Sequence, residues 1–255
     1  MKSLATTFLA LFLIAFTACN TAQETEPAIQ TEILPGEFQS LFNGEDLTGW
    51  VLPEGDGGHW QVIDGVIDYD ALSEAEGDKN LWSEESYGDF VLRLEWRLSE
   101  TPYINPRVRF ILPDGSHKKG LDGEDILISL PDSDSGVFVR GSSKAQINIW
   151  NWPIGSGEVY GYRTDGSMPA DVRAGVTPSI HADNDLGEWN QFEITMRGDR
   201  LTVVLNDMTV IENAELPGIA EEGPIALQHH GGKQNGEWNS PPSIVQFRNI
   251  EILEL

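Results

Sequence analysis

The nine residues FVLRLEWRL, Phe90 to Leu98, alternate without a break. Phe90, Leu92, Leu94, Trp96 and Leu98 form one set, and Val91, Arg93, Glu95 and Arg97 the other. A period of two sends successive side chains to opposite sides of a strand, whereas an amphipathic helix needs a period near 3.6. FEITMRGDRLTVVLNDMTVI, Phe192 to Ile211, extends the pattern into a meander with turns at Gly198-Asp199 and Asn206-Asp207. Those residue types accept the positive φ of tight hairpins. WQVIDGVIDY, RVRFIL, DILISL, GVFVRG, AQINIW, PIALQ and IVQFRNIEIL are further strand segments, and only SEESYGD around Tyr87 has the composition of a helical turn. Many short strands punctuated by Gly, Pro and Asp predict an all-β sandwich or jelly roll. Trp50, Trp60, Trp82 and Trp189 are expected in its core or at strand edges.

The first residues belong to a different category. LATTFLALFLIAFTAC follows Lys2, too short and too poorly flanked for a stable membrane span, and reads as a secretory signal. FTAC, Phe16 to Cys19, resembles a lipoprotein cleavage site, with Phe16 in place of the usual Leu. The expected organisation is a lipoprotein signal peptide at 1–18, a lipidated Cys19 opening a flexible acidic tether at 19–35, and one folded domain at 36–255. The expected location is therefore outside the cytoplasm, lipid-anchored in a bacterial cell envelope. Cys19 is the single cysteine, so no intrachain disulfide forms. A formal net charge of −25 repels nucleic acid and anionic lipid, which leaves a lipid anchor as the route to a membrane.

Alternation also sorts the faces of the later strands. Val137, Val139, Ala145, Ile147, Ile149, Ile225 and Leu227 point inward, and His229 continues their set. Arg140, Gln146, Asn148, Trp150, Gln228 and His230 then share the outer face. Planar amides, a guanidinium, an imidazole and an indole suit a carbohydrate. Sugar hydroxyls take bidentate hydrogen bonds from amides and Arg, and sugar C–H faces stack on aromatic rings. The segment after Trp150, NWPIGSGEVYGYRTDGSMP, adds Trp152, Glu158, Tyr160, Tyr162 and Arg163 on a long loop. Such a loop either carries function or packs as a closed unit on its own aromatics.

Six motifs then stand in one order: SLFNGEDLTGW, WQVIDGVI, LWSEESYGDFVLRLEWRL, SGVFVRG, GEWNQFEITMRGDRLTVVLND and GPIALQHHG…VQFRNIEI. Together they resemble the bacterial 3-keto-disaccharide hydrolase family. The resemblance implies a concanavalin-A-like two-sheet jelly roll that cleaves glycosides already oxidised to a ketone at sugar C3. The ketone acidifies the C2 proton; a base removes it, the enolate expels the C1 substituent, and water adds. That chemistry needs a base with a near-neutral pKa, a donor for the enolate oxygen and an acid for the leaving group. By the resemblance, His230 is the candidate base or else a metal ligand, with Gln228 beside it in the Q-x-H-G pattern. Arg140 would hold the enolate or a sugar oxygen, and Gln146 matches a conserved-pattern glutamine. Lys144 departs from the pattern, standing where the family usually has glutamate. Either Lys144 supplies an electrophilic charge, or Glu158 or Glu95 replaces the acid. The segment TPYINPRVRFILPDGSHKKGLDGED is also longer than the usual spacing between these motifs.

Two other classes compete. A non-catalytic glycan-binding lectin would have the same outer face without proton-transfer groups. A conventional retaining glucanase needs two carboxylates on one strand face, as E-x-D-x-E or E-x-D-x-x-E, and neither spelling occurs. For a divalent metal, His181, Asp183, Asp185, His229 and His230 are candidate ligands. They lack H-x-H or H-E-x-x-H spacing, and HADNDLGEW suits calcium by composition only.

Overall fold

The alternation of Phe90–Leu98 becomes the spine of the protein in the computed structural model, which describes residues 36–255. The signal peptide, Cys19 and the tether lie outside the described residues. Phe90–Leu98 is hydrogen-bonded on both sides, to Asn190–Arg197 and to Ile244–Glu254. Outward from these come Arg200–Leu205 and Met208–Glu215 on one flank, and Val66–Asp70 and Trp60–Ile63 on the other. The short strand Gln39–Ser40 also pairs with Ile244–Glu254, making an eight-stranded antiparallel sheet. A second sheet has five strands in the order Ser142–Trp150, Asp134–Val139, Gly223–Leu227, Leu81–Tyr87 and Trp50–Val51. The expected two-sheet jelly-roll sandwich is the observed architecture.

The core lies between the sheets. Leu92, Leu94, Trp96, Phe192, Ile194, Phe247 and Ile252 come from the large sheet; Leu81, Val137, Val139, Ile147, Ile149, Ile225 and Leu227 come from the small one. Each such aliphatic or aromatic side chain contributes about 1.5–3 kcal/mol on leaving water. The inward half of the alternation is therefore energetically fixed: a register slip by one residue would turn every member of this set to solvent. Hairpin chemistry agrees, since Gly198, Asn206 and Asp207 have φ of 55°, 50° and 63° at the two expected turns.

SEESYGD is not a helical turn. Leu81–Tyr87 is a strand between Gly223–Leu227 and Trp50–Val51, so ladder pairing and burial of Leu81, Ser83 and Tyr87 override local propensity. Among the described residues the helices are two short ones, Tyr160–Thr164 and Ala170–Gly175, which follow the edge strand Ser142–Trp150 in the chain. Among the described residues no helix is long and apolar enough to cross a membrane. The long segment after Leu98 folds as a hairpin of Tyr103–Arg109 and Leu127–Asp132, outside both main sheets.

Arg140 does not share the outer face with Gln146 and Asn148. Strand Asp134–Val139 ends one residue before it, and its φ of 51° interrupts the alternation that placed it there. Its guanidinium is buried and donates to Gly88 O at 3.0 Å, to Gly198 O at 2.6 Å and Ala220 O at 3.0 Å, and to Asp89 Oδ1 at 2.8 Å. One side chain thus ties three loops beyond the end of its strand. Removing the buried guanidinium takes away all four of these hydrogen bonds and the tie between the loops. Arg140→Ala is expected to lower unfolding free energy by about 2–4 kcal/mol. Urea titration checks this, and a loss under about 0.5 kcal/mol, the range of ordinary surface substitutions, would refute the tie.

Candidate active site

On the face of the small sheet turned away from the core, one cleft of about 280 Å³ collects most of the outer-face set. Strand Asp134–Val139 lies between the other two contributing strands and brings them into register, with Gly136 opposite Asn148 and Phe138 opposite both Gln146 and Ala226. Gly136 is required here: a Cβ would stand 2.8 Å from Gln146 Cγ and 2.9 Å from Ile147 O. The bare backbone lets the Gln146 side chain cross over it. Gln146 Nε2 then donates to Asn148 Oδ1 and to Gln228 Oε1, both at 2.7 Å. With its carbonyl oxygen so engaged, Asn148 keeps a buried Nδ2 with no partner. A buried donor without an acceptor costs about 1–3 kcal/mol unless a ligand supplies one.

His230 follows Gln228 at the end of strand Gly223–Leu227, and its backbone N–H donates to Ser243 Oγ at 2.6 Å. Its Nδ1 lies 2.6 Å from the carbonyl of Pro241. A carbonyl only accepts, so Nδ1 carries a proton, and the tautomer this selects has its lone pair on Nε2. His230 lines the cleft. His229 has a different fate: Tyr69 Oη approaches its Nδ1 at 2.5 Å, and burial, with the charges of Lys79 and His230, pushes its pKa down to about 4. It stays neutral at physiological pH, accepting from Tyr69, and the two histidines do not act as a pair.

Asp134, which faces the same side as Asn148 and Trp150, was not legible as a site residue. Its Oδ1 is shielded and unpartnered, and burial pushes the carboxyl up to about 7, aided by Asp132 and opposed by His230. Asp132 is itself raised by burial while accepting from Asn105 Nδ2 at 2.7 Å and Trp152 Nε1 at 3.0 Å. The spelling D-S-D at 132–134 held the signal, because alternation puts both carboxyls on one side.

Glu158 is fully buried beside this group. Asn148 N donates to Glu158 O, and Gly157 N to Asn148 O, both at 2.8 Å, so residues 157–159 extend the sheet beyond its edge strand. Val159 faces the core and Glu158 the opposite side. Burial, then repulsion from Asp134, raises Glu158 to about 7 against the attraction of Arg163, whose Nε is 2.7 Å from Oε1. Asp134 is the carboxyl that lines the cleft; Glu158 lies behind it.

Trp150 is 2% exposed, its indole stacked on Trp152 at 4.2 Å and its Nε1 bonded to Gly155 O at 2.7 Å. Trp152 and Tyr160 are therefore the more open aromatic walls. Three expected site residues are placed elsewhere. Glu95 lies on the outer face of the large sheet, across the sandwich, bonded to Arg248 and Asn249. Tyr162 is in the core with its hydroxyl on Pro217 O. Lys144 binds Asp165 at 2.6 Å beyond the sheet edge and does not line the cleft. Arg163, also buried, reaches the site only through Glu158. Among the described residues no group of three or more His, Cys, Asp or Glu is arranged to hold a metal ion. His181 and Asp183 approach each other at 3.9 Å in a separate cleft.

The buried carboxyls have a thermodynamic signature. Folded pKa values above the unfolded value mean that the native state holds the extra protons. Stability is then full below about pH 4 and falls as pH rises toward about 7, by up to about 1.4 kcal/mol per pH unit for each group. Asp134→Asn is expected to flatten this slope by one proton between pH 4.5 and 7. Urea melts across that range check it, and parallel curves for the two proteins would mean that Asp134 ionises normally.

Comparison with known proteins gives the family and the fold. The family described as "3-keto-alpha-glucoside-1,2-lyase-like domain" matches residues 37–253. No curated protein matches the sequence. Two solved structures from Parabacteroides distasonis ATCC 8503, each described as a candidate glycosyl hydrolase, share the fold. The first has 21% identity over 86% of this chain and 84% of its own, with a TM-score of 0.55. The second has 18% identity over 86% and 94%, with a TM-score of 0.51.

Proposed function

The chain belongs to the 3-keto-alpha-glucoside-1,2-lyase-like family, and from that premise we propose that it cleaves glycosides bearing a ketone at C3. The observation that carries the reading is His230: Nδ1 is committed to the Pro241 carbonyl, which leaves Nε2 as a base in a cleft that also holds an unpartnered amide donor. Nε2 takes the C2 proton, and the C–H electrons pass into the C3 ketone. Asn148 Nδ2 donates to the enolate oxygen as its charge grows. The enolate then re-forms the ketone and expels the C1 oxygen, leaving a C1=C2 double bond. Asp134, held protonated near neutrality by burial, supplies the leaving oxygen with its proton. Water adds across the double bond to complete hydrolysis; release before that step is a lyase outcome. Trp152 and Tyr160 stack the sugar, and Gln146 and Gln228 hold its hydroxyls. In this assignment Asn148 takes the enolate role considered for Arg140, and Asp134 the acid role considered for Glu158 or Glu95.

The test is aglycone release from a 3-keto-glucoside and from its parent glucoside. The keto compound is expected to be cleaved and the parent left intact, with His230→Ala reducing the rate by about 10²–10⁴. Release from the parent alone would overturn the reading. Binding of the keto compound without release would assign the cleft to a lectin-like role.

The N-terminal pattern supports a lipid-anchored envelope location. Cys19→Ser is expected to move the protein from the membrane fraction of expressing cells to the soluble fraction, and an unchanged distribution would remove the anchor.

A further inference from the structure

A second cleft, of about 370 Å³, opens on the other side of the Tyr160–Thr164 helix and is lined by Gly115, Ser116, His117, Lys119, Arg163, Thr164 and Arg173. Three of these seven are Lys or Arg, in a chain where 16 of 255 residues are, and none is Asp or Glu. A protein with a net charge of −25 repels anions over most of its surface, so a local group of cations stands out against its own field. The nearby carboxylates cancel it only in part, pairing with Lys119 and Arg163 but not with Arg173. Asp125 serves three groups at once: Arg109 Nε at 3.1 Å, His117 Nδ1 at 3.0 Å and Lys119 Nζ at 2.5 Å. Glu158 faces Arg163 from behind. Asp114 turns back on its own loop, accepting from Ser116 N and Oγ. Arg173 has no carboxylate partner among the described residues, and its Nε is shielded and unbonded. His117 accepts from Arg163 Nη1 at 3.4 Å while its Nδ1 meets Asp125, which fixes the ring between the two.

We propose that this cleft binds an oxyanion, a carboxylate or sulfate, carried on the same glycan whose reacting sugar occupies the first cleft. The two clefts share a wall: Arg163 lines the second, and its guanidinium carbon is 5.9 Å from the ring of Tyr160, which lines the first. Planar guanidinium groups pair with both oxyanions through parallel hydrogen bonds, and Lys119 adds a point charge. The hairpin that supplies Ser116, His117 and Lys119 is the segment longer than the family's usual spacing. The chain would thereby add a preference for acidic glycosides to the family's reaction. The glycan part of this inference rests on the proposed function.

Direct binding separates the two. Sodium sulfate and D-glucuronate are titrated into the full chain by calorimetry at constant ionic strength held with chloride, with D-glucose as the neutral control. Saturable binding of either anion but not of glucose is expected, weakened at least about fivefold in Arg173→Gln and in Lys119→Gln, both checked for unchanged thermal melting. Absence of saturable anion binding, or binding unchanged in both variants, overturns the proposal. With substrates, the ratio of kcat/KM for a 3-keto-glucuronide to that for a neutral 3-keto-glucoside is expected to fall at least about fivefold in Arg173→Gln, through KM. An unchanged ratio removes the link to the glycan. If the wild-type chain cleaves no 3-keto-glycoside, the functional reading fails separately, whatever the anion titration gives.

Discussion

Two backbone hydrogen bonds, Asn148 N–H to Glu158 O and Gly157 N–H to Asn148 O, organise the site end of this molecule. Strand Ser142–Trp150 is the edge of its sheet, and an open edge would expose unpaired peptide groups. Residues 157–159 close it by pairing as an extra short strand. That closure brings Val159 into the core, Glu158 beneath the cleft, and Tyr160 into its wall. It also starts the short helix that Lys144's partner, Asp165, follows, and carries Arg163 between the two clefts. Protection of a sheet edge and assembly of the chemistry are therefore the same act of folding.

The second constraint is the shortage of water on the outer face. Burial, more than any like-charged partner, raises Asp134 and Glu158 to about 7, and one carbonyl holds a proton of His230 on Nδ1. An acid and a base that coexist near pH 7 need environments that push them differently. Here Asp134 is half-buried in the cleft wall and Glu158 fully buried behind it, while the imidazole stands at the strand's mouth on a backbone acceptor. The amide chain Gln146–Asn148–Gln228 fills the floor between them and commits its acceptors inward, leaving Asn148's donor over.

Period two made much of the site legible. Gln146, Asn148, Trp150, Gln228 and His230 share a cleft because core burial of Ile147, Ile149, Ile225 and Leu227 leaves their neighbours no other side to face. The same rule failed at Arg140, where a left-handed backbone ends the strand and turns the side chain onto three loops. It put Asp134 on the outer face without marking it as a site residue, since the partner strand that makes its carboxyl a cleft residue lies beyond the next turn. SEESYGD failed for a related reason: Glu and Ser propensities are small beside two ladders and the burial of Leu81 and Tyr87.

The sequence by itself determined the architecture and the face of each strand, because alternation is local and its energy, burial of one apolar set, is summed over many strands. It also carried the family, through six ordered motifs. Tertiary structure alone decided which outer-face residues meet, which carboxyls lose their water, and which cations gather in a second cleft. Those properties depend on distances between residues far apart in the chain, and pKa shifts arise only when the folded molecule excludes solvent from them.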